Sequence, residues 1–489
     1  MTNTMNPAAQ PEPADAQNPA QEPVQFTVEV GPMAHGGHCV AQHDDRAVFV
    51  RHAIPGEIVV AQLTETGPSE RFLLADTVEV IRASEFRRSH QWKIADSLRA
   101  HSFGREPVSG AEYGHIVLEY QRRLKANVFR DTMVRVGKQN VDDMEISVEG
   151  VEADGAHGLD WRTRNTFVVS PVGRLCMPVH RGLNPVVVRN VPLAVPQLDA
   201  LGLWGLDFSG AARIEVTTPA HGRDALINII PRSNVVNSKE TLATHVENWR
   251  EAVSGLPQHV SVVVSAPAGK GGRKIKVTQV RGQSWVAEDV ASELFGTRSF
   301  RVSGHGRWPA HRDGPVTLVD AVMQAADAQP GQTVADLYAG SGLFSRYLAE
   351  AVGADGAVLA VEDGVATSQD ASINLREVPQ ATVLHGNINR VMNSWHRKPE
   401  ADFTAGGLND RQVDTVVMSP HRKGAGKAVL GRIDQLTPEK IIYVSSDPAS
   451  LARDTRRLNY HGWVLDSVEV YDLAPDTQHM ESVCVFTKP

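Results

Sequence analysis

"TVADLYAGSGLFSRYLAEAVGADGAVLAVED", residues 333–363, decides how the C-terminal part of this chain is read. The apolar run "TVADLYAG" reads as a buried strand, "LFSRYLAEAV" as a helix and "AVLAVED" as a second strand. Gly340-Ser341-Gly342 stands between the first strand and the helix. Its two glycines let the backbone turn tightly and approach a ligand closely. Glu362 ends the second strand, 20 residues after Gly342. A carboxylate there can bind the hydroxyls of a ribose. Strand, GxG, helix, strand and acidic residue, in that order, describe a nucleotide-type cofactor site in an α/β sheet.

The pattern continues outward. "VTLVDAVMQAADA" before this stretch reads as a helix, and "ATSQDASINLREV" after it as another. "ATVLHGN" is a strand, followed by a looped insertion. Then come "VDTVVMSP", "IIYVSSDP", a helix through Leu458, "WVLDSVEVYDL" and "ESVCVFTKP". This alternation predicts a mostly parallel sheet wrapped by helices. "YVSSDPASLARD" (443–454) delivers Ser446 to a loop at a strand's C-terminal end, where open α/β sheets place their chemistry. Ser446 also reads as a loop hydroxyl or helix N-cap, because Ser before Asp-Pro starts turns well.

Two cofactors suit the glycine loop. A dinucleotide prefers G-x-G-x-x-G/A, and here the third position is Ser345. Asp336 precedes the glycines and would repel a pyrophosphate. It suits the cationic amino-acid end of S-adenosylmethionine (SAM), so the electrostatics favour SAM over NAD. A dinucleotide oxidoreductase is the competing class; it lacks a candidate hydride-transfer site.

Upstream the texture changes. Residues 1–24 carry three acidic and no basic side chains among Pro, Ala, Gln and Asn, which predicts a disordered tail. Residues 25–83 are short β-rich runs broken by Gly, Pro and Asp, which predicts a small OB-like barrel. Residues 84–300 predict an α+β region, helical over 84–135, and 301–489 form the α/β domain. Basic residues cluster at Arg122, Arg123 and Lys125, and again at Arg162 and Arg164 in "WRTRNTF". A charge run on a helix also reads as a solvated face. Following a barrel, these segments suit an RNA path. "GKGGRKIK" (269–276) predicts a flexible hairpin tip.

The composition narrows the class. The chain has 489 residues, enough for roughly three domains, and 42% hydrophobic content supports several cores. A net charge of -8 means that nucleic-acid binding rests on local patches. The three cysteines, Cys39, Cys176 and Cys484, lie far apart with no CxxC, so no disulfide framework, metal site or iron–sulfur cluster is expected. No apolar run is long enough to span a membrane, and no secretory signal stands at the N-terminus. A cytoplasmic monomer is expected.

Taken together, "DLYAGSGLFSRYLA", "VED", "VVMSPHRKGAGK", "IIYVSSDPASLARD" and "HMESV" resemble the RNA uracil-C5 methyltransferase family, which makes 5-methyluridine in tRNA and 23S rRNA. "AHGGHCVAQHDDRAVFVRHAIPGE" resembles that family's N-terminal TRAM barrel. The resemblance covers residues 26–489. It implies a C-terminal Rossmann-like class I methyltransferase domain, SAM as cofactor and RNA as partner. It places Ser446 at the position of the nucleophile that adds to uracil C6, and Glu481 at that of the base that removes the C5 proton. It places the cofactor against Asp336, Tyr338, Gly340, Gly342, Glu362, Asn387 and Ser419.

The chain departs from the family at several of these positions. The family has Cys where Ser446 stands, and a serine hydroxyl needs an adjacent base. Cys484 is three positions beyond Glu481, so strand alternation puts it on the opposite face. The family's Asp-Pro-Pro-Arg appears as Ser419-Pro420-His421-Arg422, its Gly-Asp as Gly386-Asn387, and the Gln expected after Trp308 as Pro309. The iron–sulfur cysteines of some members are absent. These departures leave a second reading, a non-catalytic RNA-binding paralogue that keeps the fold.

Overall fold

The computed structural model describes residues 23–66, 71–155, 157–180, 184–221, 224–268, 274–304, 306–397 and 412–489. Residues 1–22 of the expected tail and 269–273 of the expected hairpin tip lie outside them.

The N-terminal strands alternate as a half-buried sheet must: Gln25–Glu29 buries Phe26 and Val28 and exposes the residues between them. Six strands follow the order Gln25–Glu29, Ile58–Thr66, Phe72–Arg82, Arg46–Arg51, His38–His43, Met33–Ala34. Their shared core takes in Leu124 and Val128 from the helix Leu118–Thr132. The expected helical stretch 84–135 is helical only over Ser97–Ser102 and from Leu118 onward. The segment "EFRRSH" is held otherwise by its own charges. Arg87 makes two bonds of 2.6 Å to buried Glu57, and Arg88 reaches Asp476 at 2.5 Å.

A second sheet of seven strands is built between Arg164 and Arg281 around Phe167, Trp161 and Trp249. It is followed by the hairpin Trp285–Ser292/Gly296–Ser303. This hairpin packs on the C-terminal helices: the Tyr347 hydroxyl donates to Val290 O at 3.1 Å, and Ser303 N donates to Asp370 at 2.7 Å.

The C-terminal sheet has eight strands in the order Ala381–His385, Ala357–Glu362, Thr333–Leu337, Thr415–Met418, Lys440–Ser445, Glu481–Thr487, Val464–Tyr471, Val148–Glu149. The first five run parallel, and Glu481–Thr487 pairs antiparallel with both of its neighbours. The parallel strands Thr333–Leu337 and Ala357–Glu362 are buried throughout, as a sheet covered on both faces requires. The helix Leu343–Val352 matches the sequence expectation at both ends. The insertion expected as looped contains the helix Ile388–Arg397, which buries Ile388, Met392 and Trp395. The edge strand Val148–Glu149 comes from the stretch read as the central region, yet it pairs with Val470 and Tyr471.

Chain order places a switch point beside Thr333–Leu337. The chain first builds outward through Ala357–Glu362 and Ala381–His385. It then crosses to Thr415–Met418 on the other side. Open α/β sheets bind ligands in the crevice at that point.

Candidate active site

A cavity of about 550 Å³ lies at that crevice. Tyr338 and Gly340 line it from the glycine loop, Ser419 from the end of the next strand, Ser446 from the strand beyond and Glu481 from the antiparallel strand. Arg164 reaches it from the central sheet. Five separate elements thus bring expected site residues together. Asp336, Gly342, Glu362 and Asn387 do not line the cavity; the first three support the loop that does.

The loop is sharply turned. Tyr338, Gly340 and Gly342 have φ of 64°, 57° and 85°. The left-handed region is natural for the two glycines and uncommon for a tyrosine. Glu362 braces the turn: one oxygen accepts from Gly340 N at 2.9 Å, the other from Gly364 N at 2.7 Å and Thr367 Oγ1 at 2.8 Å. Asp336 is buried beneath the loop and accepts from the Ser345 hydroxyl at 2.5 Å. Burial pushes its carboxyl up to about 7, with the Ser345 hydrogen bond pulling the other way. Ser345, at the third position of the glycine pattern, is therefore the donor to Asp336.

Glu481 is half-buried, and loss of solvent pushes its carboxyl up to about 7 against the opposing charges of Arg422 and Arg307. Ser446 follows the strand Lys440–Ser445, and its hydroxyl has no hydrogen-bond partner among the described residues. Cys484 belongs to the core on the other face of the sheet, and burial pushes its thiol up to about 12. Val483, which shares Glu481's alternation, packs on the near face.

A sequence profile of the tRNA (Uracil-5-)-methyltransferase family matches residues 316–489. An uncharacterized RNA methyltransferase of Streptomyces coelicolor is 31% identical over 98% of this chain and 97% of its own length. The chain belongs to the RNA uracil-C5 methyltransferase family. An uncharacterized RNA methyltransferase of Streptomyces avermitilis is 30% identical over 94% of the chain and 98% of its own length. The fold matches that of the Pyrococcus abyssi tRNA (uracil-54, C5)-methyltransferase, crystallised with S-adenosyl-L-homocysteine, with a TM-score of 0.65 at 16% identity. The match covers 94% of this chain and 99% of that one.

Methyltransferases of this family use SAM, and the loop residues fit it. Asp336 Oδ1 and Ser341 Oγ are buried polar atoms without a partner at the glycine loop. An unpartnered buried carboxylate oxygen suits a cationic group, and a buried hydroxyl suits a polar one. Glu362 Oε2 accepts one hydrogen bond and keeps a lone pair.

The basic residues divide. Lys125 is fully buried, with Nζ donating to Asp472 Oδ1 at 2.5 Å and to Ala474 O at 3.1 Å. The clustering in sequence suggested an RNA contact, but this ammonium is enclosed by protein. Arg122 is half-buried between Asp472 at 3.5 Å and Asp154 at 3.8 Å. Arg123 is exposed, with its guanidinium over Phe86 and Tyr120 at 4.7 and 4.9 Å. Arg164 donates to Glu288 at 3.1 Å, and Arg162 to Arg164 O at 2.9 Å.

Sequence reasoning missed Arg307. From the segment between the hairpin and the helix Gly314–Ala326 it reaches across the cavity to His421 Nδ1 and to Ser419 O at 3.3 Å. A single arginine in "GHGRWPA" gives no pattern by which to find it.

Proposed function

We propose that the methyltransferase converts a uridine of tRNA or ribosomal RNA to 5-methyluridine. One observation carries the reading: Glu481, Ser446 and the glycine loop face the same 550 Å³ cavity. Asp336, Tyr338, Gly340, Gly342, Glu362, Asn387 and Ser419 hold the cofactor. Bound there, SAM supplies an electrophilic methyl group. Asp336 serves the ammonium end, Glu362 the ribose, and Asn387 the adenine amino group through its side-chain oxygen. The base enters beside Ser446, with its C5 proton toward Glu481. A carboxyl ionising near 7 suits proton abstraction at neutral pH. Arg123, Arg162 and Arg164 lie on the RNA side, and Arg164 reaches the cavity itself.

A second reading is favoured by a specific observation. Among the described residues no base is hydrogen-bonded to the Ser446 hydroxyl, and Cys484 faces away. On this reading the chain binds RNA without turnover. Methyl transfer from labelled SAM to unmodified tRNA and rRNA transcripts, scored as 5-methyluridine, separates the two. Product from the natural protein establishes the first reading. Product from Ser446→Cys alone marks an intact site lacking its nucleophile. No product from either, with RNA still bound, establishes the second.

A further inference from the structure

Ser446 and Arg422 line a second cavity of about 190 Å³ as well as the larger one. The C-terminal sheet does not build this second cavity alone. One wall is Ala34–Gly37, the turn between strands Met33–Ala34 and His38–His43 of the N-terminal sheet. From this turn His35 Nε2 meets Asp447 Oδ1 at 2.8 Å, joining residues 412 positions apart. Asp447 follows Ser446 directly. Its other oxygen accepts from Ser450 N at 2.8 Å and caps the helix Pro448–Tyr460. One carboxylate thus ties together the N-terminal turn, the loop that carries Ser446 and the helix after it.

The turn is closely seated. Gly37 has φ of 77°, and a Cβ there would come within 3.2 Å of the Tyr113 ring and 3.3 Å of Gln478 Cβ. Gln478 lies in the segment that leads into Glu481, so the same turn touches both sides of the site. The other bonds of the Ser446 loop run to its own helix and its neighbouring strand: Ser445 Oγ bonds with Asp447 N and O, Ser450 Oγ donates to Asp447 O at 3.0 Å, and Ser482 Oγ donates to Ser445 O at 3.3 Å. His35 is the contact that the N-terminal turn makes with Asp447.

We propose that His35 is a positioning residue for methyl transfer: through Asp447, the N-terminal sheet holds the Ser446 loop in place beside the strand that carries Glu481. This rests on the methyl-transfer reading above. Geometry of this kind carries large rate effects, since a displacement of about 1 Å costs on the order of a hundredfold. The barrel then completes the active site as well as serving as an RNA tether.

The test uses the full chain with His35→Ala and His35→Gln. The His35 side chain is 46% exposed, so its removal leaves no core cavity. Hydrogen exchange of residues 444–451 is read beside kcat, the KM for SAM and the melting temperature. His35→Ala should raise exchange in this segment about tenfold and lower kcat about tenfold or more, with KM and melting temperature unchanged. Gln can donate to Asp447 and should restore both. Unchanged exchange in His35→Ala overturns the proposal. So does faster exchange with unchanged kcat, or a loss that Gln does not restore. If the natural protein and Ser446→Cys both fail to turn over, the methyl-transfer reading falls with the catalytic role built on it. The exchange data then still decide whether the tether exists.

Discussion

The Ser345 hydroxyl donates to Asp336 across 2.5 Å, beneath the turn at Gly340 and Gly342. Read as a sequence, Ser345 only departs from a dinucleotide pattern. In the fold it is the hydrogen bond that opposes the burial of Asp336. Ser345→Ala removes a hydrogen bond to a charged group worth about 1.5–3 kcal/mol. It should weaken SAM binding roughly tenfold or more at pH 7, measured by titration calorimetry, with little change in RNA affinity.

In the proposed reaction Glu481 has to be ionised to accept the C5 proton. Because burial pushes its carboxyl up to about 7, kcat should rise with pH below that value and level off above it. Glu481→Gln should lower kcat by about 10²- to 10⁴-fold while SAM still binds. A pH–rate profile of single-turnover methyl transfer, with SAM affinity measured in parallel, checks both statements.

Lys125 and Arg123 lie two positions apart and should behave oppositely. Lys125→Met leaves Asp472 buried beside only Arg122, at 3.5 Å, and should cost about 3–5 kcal/mol of stability in urea unfolding. Arg123→Ala should leave stability within about 1 kcal/mol. It should weaken RNA binding and reduce the salt dependence by about one phosphate contact.

Three histidines near the N-terminal sheet are kept neutral by burial, His52 and His115 fully and His90 in part. Burial lowers His52 to about 3, His90 to about 4 and His115 well below 6.5. With folded values below the unfolded one, the unfolded chain binds more protons under pH 6.5, so this contribution to stability is lost as pH falls. Asp336 and Glu481, raised to about 7, act in the opposite direction: they favour the fold at low pH and cease to as pH rises through 7. His115→Leu should therefore shift the pH dependence of stability between pH 4.5 and 6 by about one proton, ~1.4 kcal/mol per pH unit. Urea titrations across that range measure it.

The sequence was most legible where structure is local. The helix Leu343–Val352 is bounded by Gly342 and Gly353, and the strands beside it are short apolar runs, so punctuation and pattern sufficed. The helix Ile388–Arg397 was missed although Ile388, Val391, Met392 and Trp395 recur at the i, i+3, i+4, i+7 spacing of an amphipathic helix and all face the core. Among the candidate residues, the shared place of Ser446 and Glu481 at one cavity was legible through motifs. The enclosure of Lys125 was not, because Asp472 lies 347 positions away. Arg307 and His35 meet partners 114 and 412 positions away, and no local periodicity marks a residue whose partner is that distant.

The strand Val148–Glu149 completes the edge of the C-terminal sheet by pairing with Val470–Tyr471. This has a consequence for synthesis on the ribosome. The N-terminal half emerges well before the strand it must dock against. Until Tyr471 and Asp472 are made, its short pairing edge has no place to settle, and the Lys125 ammonium lacks its carboxylate. The N-terminal strands can close early, but the joint between the halves forms only once translation has passed Asp472. Cutting the polypeptide between its halves would leave Val470 and Tyr471 unpaired at the edge of the sheet, lengthening an edge prone to aggregation.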